Sequence, residues 1–122
     1  YNQIASNSSI KLELDVMVPQ ELFVTAADLY ILIGNTLDNA IEACSILPIS
    51  QRIISIKLKT HNSILYYEIT NRFADSAPKR IREKYRGYGL KNVVNCVKKY
   101  KGKVEISKEN SVFKLVAHLN NI

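Results

Sequence analysis

Apolar positions change period several times along the chain, and each change marks an element. Over residues 10–18 they alternate, with Leu12, Leu14, Val16 and Val18 set against Lys11, Glu13, Asp15 and Met17, the pattern of a half-buried strand that Pro19 ends. From Thr25 to about Ile46 the pattern is helical. Thr25 is placed to cap the first turn, Asp28 three residues later suits the amide end, and Pro48 closes the segment. Alternation returns over 52–60 and 63–70, joined by a hairpin turn at His61-Asn62-Ser63. Residues 71–86 have no period, are rich in charge and carry Pro78, which predicts a long loop; in compact domains such loops are functional lids or disordered segments. A second helix starts near Gly89, with Leu90, Val93, Val94 and Val97 at helical spacing, and Lys101-Gly102-Lys103 breaks it. Strands over 104–107 and 111–119 complete the chain.

Most of these strands are apolar on one face only, which suits a sheet covered by helices on a single side. The expected fold is a two-layer α/β (α+β) sandwich, with a mixed, mostly antiparallel sheet of about five strands. Residues 1–9 are polar and without period and read as a linker end, leaving 10–122 as one domain. An apolar content of 47% in 122 residues is enough for one real core. The chain starts at Tyr1 without a methionine, and neither a bilayer-length apolar run nor a charged-then-apolar leader is present, so a soluble fragment is expected. Cys44 and Cys96 fall among helical residues with no second pair nearby, which predicts reduced core thiols, not a disulfide framework or zinc site.

The net charge of +6 is unevenly spread: ten Lys or Arg lie between Lys79 and Lys103, against Glu83 alone. Such a field favours an anionic partner, whether nucleotide phosphate, nucleic acid or an acidic protein surface, and a solvated lysine-rich face has equal standing on charge alone. No nucleic-acid motif or stacked aromatic set accompanies it, so nucleic acid is not expected.

The segment Gly34-Asn35-Thr36-Leu37-Asp38-Asn39-Ala40-Ile41-Glu42-Ala43-Cys44 carries the candidate chemistry. At about 100° per residue, Asn35, Asn39 and Glu42 share one face, with Ala26, Tyr30, Ile33, Leu37, Ala40 and Cys44 opposite. Their oxygens are hard donors, fit for Mg²⁺ held jointly with water and phosphate. An ordinary exposed polar face would look the same. The segment resembles, however, the N-box of the superfamily of gyrase, heat-shock chaperone, histidine kinase and MutL ATPases (the GHKL or Bergerat fold). Within it the segment is most similar to sensor histidine kinases of the peptide-pheromone quorum-sensing branch. The resemblance implies that Asn39 ligates Mg²⁺, that Asn35 supports the phosphates or metal shell, and that Glu42 faces the nucleotide.

Arg86-Gly87-Tyr88-Gly89-Leu90-Lys91-Asn92 lies where the loop becomes a helix; glycines there allow close backbone approach, and free helix-start amides attract phosphate. A simple turn would explain it too. The segment resembles the second glycine box of the histidine kinases, which implies an ATP site using Arg86, Gly87, Gly89, Leu90 and Lys91, with the basic loop as an ATP lid that orders on nucleotide. The first glycine box, Asp-x-Gly-x-Gly, is missing: the strand ends in Ile69-Thr70-Asn71-Arg72-Phe73, and Asn71 becomes the candidate adenine contact.

His61 in the hairpin turn and His118 on an outward strand face lie in no helix of acceptor type. The resemblance therefore implies a catalytic domain that binds ATP and Mg²⁺ and donates the γ-phosphate to a histidine on separate dimerisation helices of the same parent kinase, and that cannot phosphorylate itself alone. The parent is expected to be a homodimer in the bacterial cell membrane, with this domain in the cytoplasm and a cytoplasmic response regulator as partner. The alternative is a degenerate binding module of the same fold that docks an acidic protein without productive ATP turnover.

Overall fold

Alternation along the strands becomes pairing between them. β1 (Lys11–Met17), β2 (Ile53–His61), β3 (Ile64–Arg72), β4 (Lys103–Glu109) and β5 (Val112–Asn120) form one sheet in the order β1-β2-β3-β5-β4. β1 runs parallel to β2, and every other neighbouring pair is antiparallel, the mixed sheet expected. The computed structural model describes residues 9–74 and 89–121. Both hairpins close with two-residue turns, Asn62-Ser63 and Asn110-Ser111, in which all four φ angles are positive (49°, 66°, 53° and 60°). That is the type I′ geometry whose twist matches the strands, reached here without glycine.

One face of the sheet is covered by α1 (Ala26–Ser45) and α2 (Gly89–Lys99). Ile54, Ile56, Leu58, Leu65, Tyr67, Ile69, Leu115, Ala117 and Leu119 point into that layer and are buried. Residues of opposite parity form a charged outer face, where Glu68 accepts from the Tyr66 hydroxyl at 2.8 Å and pairs with Lys114 at 3.2 Å and Lys57 at 3.8 Å. Burial works against ionisation of Glu68, yet these donors outweigh it and its pKa falls below the ordinary value.

α1 starts as expected, with the Asp28 N–H donating to Thr25 Oγ1 at 3.1 Å. At its other end the Arg52 guanidinium donates to the carbonyls of Leu47 (2.9 Å) and Ser45 (3.1 Å), serving groups the helix leaves free. The buried stripe differs from the expected one. Leu37, Ala40 and Cys44 are buried and Ile33 is half-buried, but Ala26 and Tyr30 are exposed, Tyr30 by 70%, while Asp28, Leu32 and Thr36 are buried instead. The reason is the second helix: α2 packs on the flank of α1, so the buried arc turns toward it and away from Tyr30. The side bearing Asn35 and Asn39 therefore borders the α1–α2 interface and does not stand opposite the core.

Three further differences are local. A 3-10 turn, Ile49–Gln51, precedes β2; β3 runs to Arg72; and β4 extends to Glu109. α2 ends where expected, but Lys101, not Gly102, takes the left-handed conformation (φ 52°). Gly102 is needed for closeness: a Cβ there would overlap the His118 carbonyl oxygen and lie 2.8 Å from Val97 Cγ1.

Candidate functional site

Asn35 and Asn39 stand one turn apart on α1, and the first residue of α2 comes up against both. A Cβ built on Gly89 would lie 3.4 Å from Asn39 Nδ2, 3.6 Å from Asn39 Oδ1 and 3.7 Å from Asn35 Cβ. Two segments far apart in the sequence, the polar stripe and the glycine segment, thus meet at one point. The start of a helix turns backbone N–H groups toward that point, and no acidic residue lies in the first turn of α2. Asn35 is half-buried and its Nδ2 donates to the Ile31 carbonyl at 2.9 Å, which fixes the amide and turns Oδ1 outward from the helix backbone. The half-buried Asn39 side chain has no hydrogen-bond partner among the described residues. Neutral amides converging on a helix start form a subsite that suits phosphate oxygens or a phosphate-bound cation.

The other candidate residues fall as follows. Glu42 is exposed on α1, where its carbonyl accepts from the Ser45 hydroxyl at 2.7 Å, and Lys91 is exposed on α2; neither side chain has a hydrogen-bond or ion-pair partner among the described residues. Leu90 packs partly into the core and so anchors the first turn of α2. Asn71 lies inside β3, not after it, paired with Ile54 and Phe113. It shares the parity of Tyr67 and Ile69 and so faces the helix layer; it is 5% exposed, and its Nδ2 donates to the Arg72 carbonyl at 2.9 Å, leaving Oδ1 as the acceptor it can offer. Arg86 and Gly87, with the remainder of the basic loop over 75–88, lie outside the described residues. His61 closes β2, where Asn62 Nδ2 is 3.1 Å from its Nε2, and His118 sits on the outer face against the Tyr66 ring at 5.3 Å. Neither is near the Asn35–Asn39–Gly89 cluster in the fold's layering. Among the described residues no group of three or more His, Cys, Asp or Glu could hold a metal, so a cation at this point would depend on amide and phosphate oxygens.

Sequence reasoning missed one polar cluster at the other end of the α1–α2 contact. The Asp28 carboxylate, read only as a favourable charge near the cap, is buried and bound by Lys99 and Tyr100. The Tyr100 hydrogen bond, then that of Lys99, holds its pKa below the ordinary carboxylate value. The signal was the pairing of a first-turn acid with a Lys-Tyr at the end of a later helix, which no local pattern connects.

A profile described as the GHKL domain matches residues 24–119, most of the chain. The chain belongs to the GHKL domain family. This GHKL domain also shares its fold with solved histidine kinase catalytic domains. It superposes on the histidine kinase AdeS of Acinetobacter baumannii with a TM-score of 0.69 at 14% identity, covering 98% of this chain and 58% of that one. The catalytic domain of the histidine kinase ThkA, in a nucleotide-free form, gives 0.70 at 14% identity, covering 98% and 84%. The histidine kinase domain of a blue-light activated kinase from Erythrobacter litoralis gives 0.69 at 13% identity, covering 98% and 56%. At such identities the likeness is one of fold, and the chain spans little more than half the length of the first and last of these. No curated protein matches. No helix among the described residues is long and apolar enough to cross a membrane.

Proposed function

We propose that this GHKL domain binds Mg-ATP and presents its γ-phosphate to a histidine on separate dimerisation helices, as the catalytic domain of a two-component sensor histidine kinase. The observation that carries the reading is the meeting of Gly89 with Asn39 and Asn35. The residues fit the nucleotide and its cation: an amide with no partner among the described residues, a fixed one beside it, and a helix start with space that a Cβ would fill. Asn39 would hold the metal and Asn35 its shell or the phosphates, while Glu42 lies farther along the same helix. Gly87 and Gly89 let backbone amides approach the phosphates, with Arg86 and Lys91 adding charge and Leu90 seating the turn. Asn71 offers Oδ1 to the adenine amino group. Mg²⁺, when bound, neutralises phosphate charge; the chain's own part in phosphoryl transfer is to position and to shield, with no covalent step on its side chains.

Calorimetric titration with Mg-ATP and Mg-GTP tests this. Saturable binding that prefers ATP and disappears in Asn39→Ala is the expected result; no binding to either nucleotide would sink it. The absent Asp-x-Gly-x-Gly box favours one second reading, a degenerate module that uses its basic segment to dock an acidic protein, and that reading predicts no nucleotide heat at all. The quorum-sensing branch, the homodimeric membrane-bound parent and the response regulator belong to this proposal as expectations from the N-box resemblance.

A further inference from the structure

Among the described residues, α1 and α2 come together beside polar groups at two places. One is where Gly89 lies beside Asn39 and Asn35, close enough that a Cβ on it would touch both. The other is at the far end of α2, where Lys99 Nζ donates to both Asp28 carboxylate oxygens at 2.9 and 3.0 Å and the Tyr100 hydroxyl donates to Oδ2 at 2.5 Å. The same hydroxyl accepts from the Thr25 N–H at 3.2 Å, and Cys96 Sγ donates to the Asp28 carbonyl at 3.4 Å. Helix formation does not require any of this. Thr25 already caps α1, and an acid in the first turn acts favourably on the dipole from an exposed position. Asp28 is instead 4% exposed. Burial of a carboxylate is costly unless donors surround it, and these donors come from the other helix, so the arrangement is satisfied at one relative placement of the two helices.

We propose that Asp28 is a positioning residue for the nucleotide site: it clamps the end of α2 to the first turn of α1 and so sets where Gly89 meets Asn39. The inference rests on the nucleotide reading above. α2 has 11 residues and is a rod of about 16 Å, so a slide or tilt at Lys99 and Tyr100 is passed to Gly89. The space beside Gly89 is only the size of a methyl group, since a Cβ there would already meet Asn39 at van der Waals distance, and a displacement of about 1 Å would close or open the space the phosphates need. Adenine, held on β3 by Asn71, would not be affected.

The test titrates Mg-ATP and adenosine into the wild type, Asp28→Asn and Lys99→Met, and into Leu65→Val, a buried β3 change that lowers stability without removing any of the Asp28 hydrogen bonds. All are measured at a temperature where each is folded, and the nuclear Overhauser contact between the Gly89 α-protons and the Asn39 side-chain amide is read without ligand. Expected are roughly tenfold weaker Mg-ATP binding in Asp28→Asn and a smaller loss in Lys99→Met, with adenosine unchanged, the Gly89–Asn39 contact weakened, and Leu65→Val like wild type in both ligands. Lys99→Met keeps the carboxylate and serves if Asp28→Asn does not fold. Equal Mg-ATP affinity, a parallel loss for adenosine, a loss of affinity with the Gly89–Asn39 contact intact, or the same loss in Leu65→Val would each overturn the clamp alone. A wild type that binds no Mg-ATP overturns the nucleotide reading and the clamp with it.

Discussion

Thr36 lies in the middle of the asparagine-bearing helix, yet its hydroxyl points into the sheet layer, 2.6 Å from the Tyr67 hydroxyl, 2.8 Å from the Leu32 carbonyl and 3.1 Å from that of Ile33. Its single proton is used on a helix carbonyl, so Tyr67 donates to Thr36. Tyr67 is fully buried, and burial raises its pKa above the ordinary value while the Thr36 bond works the other way. This makes the two partners unequal. Thr36→Val keeps shape and branching but leaves a buried tyrosine hydroxyl unpaired, which costs about 2 kcal/mol; Tyr67→Phe removes a donor and leaves Thr36 still donating to Leu32, which costs about 1 kcal/mol. The double variant leaves no orphan and should cost about 1 kcal/mol, a coupling of about 2 kcal/mol in the cycle. Urea titration of the four proteins, with unchanged slope, measures it. If Tyr67→Phe is the costlier single change, or if the double variant is additive, the donor assignment is wrong.

Asn39→Ala should change stability by less than about 0.5 kcal/mol while abolishing the Mg-ATP heat; retained affinity in the folded variant removes Asn39 from the site. Gly102→Ala drives a methyl into the His118 carbonyl and should cost about 3 kcal/mol or prevent folding, so a wild-type melting temperature would contradict the close approach. Asp28 and Glu68 have lowered pKa values in the fold, so their stabilisation is complete above their ordinary values of 3.8 and 4.5 and is lost as pH falls through the folded ones. The urea midpoint should therefore drop below about pH 4.5, and Glu68→Gln should flatten that limb; an unchanged limb would remove Glu68 from the linkage. Burial pushes the Cys44 thiol up to about 11, so a thiol reagent at neutral pH should reach it only after unfolding, and rapid labelling of the native protein would show otherwise.

The elements were legible because each rests on a local signal. Period-2 alternation at Ile54, Ile56 and Leu58 located β2, and Thr25 with Asp28 located the start of α1. The asparagines and Gly89 were also legible as separate motifs, and their meeting is a tertiary fact that follows from α2 lying on the flank of α1. That same packing is why the exposed Tyr30 was misplaced and the buried Thr36 was not foreseen: a helical wheel drawn for one neighbour cannot know of a second. Asp28 shows the limit most clearly, since its partners Lys99 and Tyr100 are 71 and 72 positions away. The left-handed Lys101 was hidden by the usual preference for glycine there, because Gly102 was required for its missing Cβ and not for its φ.

The eleven residues from Gly34 to Cys44 serve two purposes that the fold separates by angle. Thr36, Leu37, Ala40 and Cys44 enter the core, and Asp38 and Glu42 face solvent; Asn35 and Asn39 occupy the boundary beside Gly89. A residue on that boundary is held by the packing of α1 against α2 yet remains open on one side. Asn35 is steadied further by its bond to Ile31, whereas both ends of the Asn39 amide are without a partner among the described residues. The two asparagines therefore need not respond alike to substitution: Asn35→Asp would trade an amide donor used on the helix for a charge, while Asn39→Asp would alter only what faces outward. Because the core residues between them fix the helix rotation, the placement of that outward amide is tied to Thr36 and Tyr67 on one side and, through α2, to Asp28 on the other.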